Sequence, residues 1–144
     1  AALYETAWQD GVAIAAYQLG RLYEYGAKGS DSASPDAVRP DAARAWFWYQ
    51  KGERAREPHA LARFAQRDES NAVVEGDPAR SHSLLLEAFS YYAAATLQAK
   101  KEDWPDDACR HWQYRRATLA RLLAREGMIQ AVADAYRTAQ VTTR

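Results

Sequence analysis

Cysteine, histidine and the motifs of metal and phosphate chemistry are nearly missing from this sequence, and their absence removes most catalytic readings. The 144 residues contain one cysteine, Cys109, which can form no intramolecular disulfide. The three histidines, His59, His82 and His111, fall on different predicted helices, without the paired spacing of a metal site. Cys109 and His111 stand two positions apart, which on a helix points them about 200° away from each other, so they suit neither one metal ion nor a nucleophile–base pair. The Glu-x-x-His pairs of a di-iron bundle do not occur. Neither do a phosphate loop, a dinucleotide fingerprint or a Gly-x-Ser-x-Gly elbow. The expectation is a protein that is not an enzyme and uses no cofactor or metal.

Long apolar runs are lacking too. No stretch approaches the roughly eighteen apolar residues that cross a bilayer, and the N-terminus has no basic region followed by a strongly apolar one. The expectation is a soluble chain without membrane insertion, with cytoplasm and periplasm both compatible. Charge of one sign is absent: 19 Lys plus Arg balance 19 Asp plus Glu, so no long-range field draws the whole chain to nucleic acid. The first residue is not methionine, and a processed chain or a piece excised from a longer protein is expected.

What is present is helical periodicity. In AAYQLGRLYEYG the residues Ala15, Ala16, Leu19, Leu22, Tyr23 and Gly26 recur at three- and four-residue spacing. In VRPDAARAWFWYQKG, Ala45, Trp48, Tyr49 and Gly52 form a second stripe after a start at Pro40 and Asp41 that suits a helix N-terminus. The spacing predicts the end of a helix over 1–10, helices over 11–25 and from 40, and a polar loop, AKGSDSASPDA, between these two. Asp31 and Asp36 in that loop lack the ligand set of a calcium loop. Further helices are predicted over 58–67, 78–101, 105–126 and 128–141, with Asp68 to Asn71 interrupting an apolar face and reading as a turn or frayed end. The helix over 78–101, apolar nearly all round from Leu84 to Leu97, should be the most buried. The stripe over 105–126 is Ala108, Trp112, Leu119 and Leu123; that over 128–141 is Met128, Val132, Ala135, Tyr136 and Ala139. Gly127 alone separates these last two helices, which predicts an antiparallel pair. No segment reads as a strand.

At Ala15, Leu19 with Gly20, Tyr23 and Gly26, then Val38, Asp41, Arg44 with Ala45, Trp48 with Tyr49, and Lys51, the chain resembles the Sel1-like repeat, a relative of the tetratricopeptide repeat. Arg44 for Lys and Gly52 for Ala depart from the pattern, and the loop adds about nine residues to the family's turn. Tyr4, Ala7 and Gly11 resemble the close of a preceding repeat; beyond Gly52 the likeness fades. The resemblance implies an all-α, antiparallel helix-pair solenoid over residues 1–144, with a Sel1-like portion (1–56) and a divergent helical portion (57–144). It also implies a bacterial scaffold that binds a partner protein or peptide on its concave face.

Candidate site residues follow. Tyr17, Arg21, Glu24 and Tyr25 lie opposite the core stripe of their helix, on the side that lines the concave surface in helix-pair solenoids. Two tyrosines around an arginine are residue types enriched in binding sites. Trp46, Phe47, Trp48 and Tyr49 sweep most of a helix circumference, so they cannot all face one core. Trp48 and Tyr49 are assigned to the core and Trp46 to its flank; Phe47 is covered by the helix from 58 or, with Trp46, forms a contact surface for a partner or for self-association. Arg110, Tyr114, Arg121 and Arg125 share the outward face of 105–126. They carry the alternative function, binding of nucleic acid or an anionic ligand.

Overall fold

The computed structural model describes residues 1–27 and 37–143. The fold is all-α: α1 (Ala2–Gln9), α2 (Ile14–Tyr25), α3 (Ala42–Arg54), α4 (Pro58–Val74), α5 (Pro78–Lys101), a 3-10 turn (Asp106–Cys109), α6 (Arg110–Arg125) and α7 (Ile129–Thr142). Two compact units divide it, Ala1–Ala60 and Leu61–Arg144, with the boundary inside α4.

In the first unit α2 and α3 meet through their small residues. Ala15, Ala16, Leu19, Gly20 and Tyr23 of α2 are buried, as are Ala45, Tyr49 and Gly52 of α3. Gly20 gives the Tyr49 ring its seat: a Cβ at Gly20 would lie 2.3 Å from the ring, so only glycine lets the two helices approach this closely. Gly52 has the same purpose against α4, where a Cβ would stand 2.7 Å from the Ala60 Cβ. That crowding explains why glycine stands at 52. The α3 N-terminus is capped by the Asp41 carboxylate, which accepts from the Arg44 amide at 3.1 Å, and the Asp41 amide itself donates to the Tyr23 carbonyl at 2.7 Å. Between the helices, Ala27 and Val38 exchange two backbone hydrogen bonds of 2.8 and 2.7 Å. The inserted segment with Asp31 and Asp36 lies outside the described residues.

Trp48 is not a fully buried core residue. It is half-buried and packs edge-to-face against Trp8 of α1, with ring centroids 6.3 Å apart, because Tyr49 and Ala45 take the positions facing α2. Trp46 rests against Tyr49 at 5.2 Å, and Phe47 is 52 % exposed with the Lys51 ammonium 4.9 Å from its ring.

In the second unit the core gathers Leu61, Ala62 and Ala65 of α4, Ala88, Phe89, Tyr92, Ala94, Ala95 and Ala99 of α5, and Cys109, Trp112, Leu119 and Leu123. The central helix, α5, is buried without a break from Tyr92 to Thr96, as its all-round apolar pattern predicts. Two boundaries differ from the sequence expectation. Helix α4 runs through Asp68 to Asn71 and ends only at Val74, because the first two of these polar side chains find partners rather than water: Asp68 accepts from Arg67, and Glu69 from Tyr92 and Arg115. Helix α6 begins at Arg110, not 105; Asp106–Cys109 forms a 3-10 turn in which Ala108 is exposed, off the stripe assigned to it. After α6, Gly127 takes φ +81°, and the amides of Gly127 and Met128 close back on the carbonyls of Ala124 and Leu123, which turns the chain into α7.

Candidate functional site

The outward face of α2 divides the four residues proposed there into two kinds. Arg21 and Tyr25 point away from the α3 contact: Arg21 is exposed and Tyr25 is 68 % exposed. Tyr17 and Glu24 sit at the flank and are already engaged, which corrects their placement opposite the core. Tyr17 is half-buried, stacked on His59 with centroids 4.8 Å apart and interplanar angle 18°, and tilted against Tyr49 at 6.0 Å. Glu24 accepts a 2.7 Å hydrogen bond from the Tyr49 hydroxyl. Burial pushes the Tyr17 phenol up from its ordinary value, with the Arg21 charge partly offsetting it. The Arg21 guanidinium lies 5.9 Å from the centroids of both the Tyr17 and Tyr25 rings, within cation–π range.

His59 is fixed from below. Its Nδ1 lies 2.8 Å from Oε1 of Glu57, a residue only 3 % exposed, whose Oε2 accepts from the Ala60 amide at 2.7 Å. Glu57 thus serves the start of α4, where Pro58 occupies the first helical position and needs no donor partner. His59, Tyr17, Arg21 and Tyr25 form one connected surface on the first unit, with Glu57 buried beneath His59.

On α6 the proposed stripe is real as a surface: Arg110, Tyr114, Arg121 and Arg125 are all exposed, opposite the buried Trp112, Leu119 and Leu123. Its charge is partly compensated. Arg110 pairs with Asp107, and Arg121 leans on the Thr118 hydroxyl at 3.4 Å.

A cleft in the second unit escaped the sequence reading. It holds about 430 Å³ and is lined by Gln66, Glu69, Ser70 and Val73 from α4, Tyr92 from α5, and His111 and Arg115 from α6. The α4 residues recur at one-turn spacing, so they form a single wall. Glu69 is its centre: one carboxylate oxygen pairs with Arg115 and the other accepts from the buried Tyr92 hydroxyl at 2.5 Å. Burial, and then Glu69, drive the Tyr92 phenol far above its usual value, while the hydrogen bond to Glu69 raises Arg115 further. Such a phenol stays protonated and serves as a donor, not as a base. The signal in the sequence was the polar run from Asp68 to Asn71 inside an apolar stripe. Glu69→Gln should lower stability by about 1 to 2 kcal/mol, since the pair is only partly solvated and Arg115 loses its counter-charge; urea unfolding of the variant measures it.

Elsewhere the reactive groups are subdued. Cys109 is buried, accepts from the Gln113 amide at 3.5 Å, and has its thiol pushed up by burial and by Asp106. His82 lies 4.0 Å from Glu126. Among the described residues no group of three His, Cys, Asp or Glu side chains is placed to hold a metal ion, and no helix is long and apolar enough to cross a membrane. Comparison with protein-family models, curated protein sequences and solved structures gives no match.

Proposed function

We propose that this chain is a non-catalytic, helical-repeat interaction scaffold of the Sel1-like type, which binds a partner protein or peptide on the outward face of α2. The observation that carries this reading is the division of labour in the α2–α3 pair. The residues of the resemblance, Ala15, Leu19, Gly20, Tyr23, Ala45 and Tyr49, are consumed by packing, whereas Arg21 and Tyr25 one step round the helix are left open. A tyrosine and an arginine presented on a helix suit a binding anchor, because both types are enriched at binding hot spots and the backbone that carries them is already ordered. The anionic-ligand reading of Arg110, Arg121 and Arg125 is the weaker one, since Asp107 already neutralises Arg110.

The test is affinity capture from the source organism with the immobilised chain and with an Arg21→Ala, Tyr25→Ala double variant. Both substitutions are at exposed positions and should change stability by less than about 0.5 kcal/mol. The reading expects partners retained by the parent chain and lost by the double variant. An identical capture profile for the two folded proteins would remove the α2 face from consideration.

A further inference from the structure

We infer that the cleft between α4 and α6 is a receptor for a small zwitterion, a free α-amino acid with a compact apolar side chain, whose ammonium meets Glu69 and whose carboxylate meets Arg115. The site is independent of the α2 face, since every residue that lines it belongs to the second unit. The first argument is charge. Glu69 of α4 and Arg115 of α6 pair across the cleft beside the buried Tyr92 hydroxyl, and both still reach water, with side chains 20 % and 29 % exposed. One anion and one cation in contact repel a singly charged ligand of either sign about as much as they attract it. A molecule whose own opposite charges stand on one carbon gains at both.

The second argument is preorganisation with capacity to spare. One Glu69 oxygen accepts from Arg115 and the other from Tyr92, which leaves each a further lone pair for an ammonium. Arg115 keeps N–H donors beyond the one it gives to Glu69, in the fork that suits a planar two-oxygen acceptor. Because Tyr92 is 1 % exposed and holds Glu69 by its hydroxyl, the carboxylate is already positioned before a ligand arrives.

The third argument concerns what surrounds the pair. The cleft holds about 430 Å³, inside the range of roughly 300 to 1,000 Å³ that small-molecule sites occupy. Val73, one turn beyond Glu69 on α4, gives an open apolar wall for a ligand side chain, and Gln66, Ser70 and His111 add hydrogen-bonding groups. The phenol in the lining, Tyr92, presents its hydroxyl rather than a ring face, so the cleft lacks the aromatic platform on which a neutral sugar would stack.

The probe is free leucine, compared with acetyl-leucine, leucinamide, glycine and glucose, each titrated into isotope-labelled protein while the Arg115 Nε–Hε signal and the backbone amides of the cleft are followed. The Arg115 signal is identified by its disappearance in Arg115→Lys. The expected result is a saturable shift with leucine, binding about tenfold weaker once the ammonium or the carboxylate is masked, and no shift with glucose. In Glu69→Gln, leucine and acetyl-leucine should bind alike, because the ammonium has lost its receptor. Val73→Ala, at an exposed position that leaves the fold alone, should weaken leucine several-fold and leave glycine unchanged. No saturable shift up to about 10 mM leucine, equal affinity for leucine and acetyl-leucine in the parent chain, tighter binding of glucose than of leucine, or leucine binding unchanged in Val73→Ala would each overturn the assignment.

Discussion

Tyr49→Ala is expected to lower the unfolding free energy by about 3 to 5 kcal/mol, the range for emptying a fully packed aromatic site. Tyr49 is completely buried, its ring lies on the Gly20 backbone and against Tyr17 and Trp46, and its hydroxyl holds Glu24. Tyr49→Phe separates the two contributions, losing only the hydrogen bond, at about 1 kcal/mol. The reciprocal change is Gly20→Ala. Alanine favours a helix over glycine by about 1 kcal/mol, yet its methyl would stand 2.3 Å from the Tyr49 ring. Overpacking should prevail, with a net loss of about 1 to 3 kcal/mol. Because the methyl fits into the space a missing ring leaves, the double variant should lose less than the sum of the two single changes. Urea unfolding followed by tryptophan fluorescence measures all four proteins. A loss below about 1 kcal/mol for Tyr49→Ala would mean that the α2–α3 contact is not organised around this ring.

How far the sequence could be read depends on where each residue's partner lies. The α2–α3 pair was legible because its determinants are local: small residues at one-turn spacing, a helix-starting Asp41, and Gly26. Helix α5 was legible for a different reason, since a helix apolar all round has nowhere to go but inside. Trp48 shows the limit of stripe counting. Trp48 and Tyr49 are equally good candidates by period, and only the position of Trp8 decides that one is half-covered and the other sealed. Among the site residues, Arg21 and Tyr25 were placed correctly as outward, while Tyr17 and Glu24 could not be, because what engages them, Tyr49 and His59, arrives from other helices. The cleft around Glu69 was invisible for the same reason: Tyr92 and Arg115 lie 23 and 46 residues away along the chain. A polar run in a helix reads as a break when its partners are that distant.

Asp68 gives the second large effect, and its sign is fixed by burial. It stands on the inward stripe of α4 with Leu61, Ala65 and Ala72, its side chain is 1 % exposed, and of its two oxygens Oδ1 accepts from Arg67 at 3.1 Å while Oδ2 has no partner. Burial first, and then the negative charge of Glu87, raise its pKa from 3.8 to about 6, with Arg67 offsetting part of the rise. The folded state therefore holds the Asp68 proton more tightly than the unfolded chain does. Stability from this group is fully present below about pH 4, falls as pH climbs through about 6, and stays low above it, a loss of about 2 to 3 kcal/mol. Asp68→Asn cannot ionise, keeps an acceptor for Arg67, and leaves an amide where Oδ2 was. It should be more stable than the parent chain at pH 7 by about 1 to 2 kcal/mol, the remainder being spent on the unpartnered amide. The measurement is urea unfolding of both proteins from pH 4 to 7.5. The difference between their stabilities should grow in favour of Asp68→Asn across the pH 4 to 6 interval and then level off. Parallel curves would show that Asp68 titrates alike in the folded and unfolded chain, and a parent chain more stable than the variant at pH 7 would show that the buried carboxylate is stabilised by its surroundings.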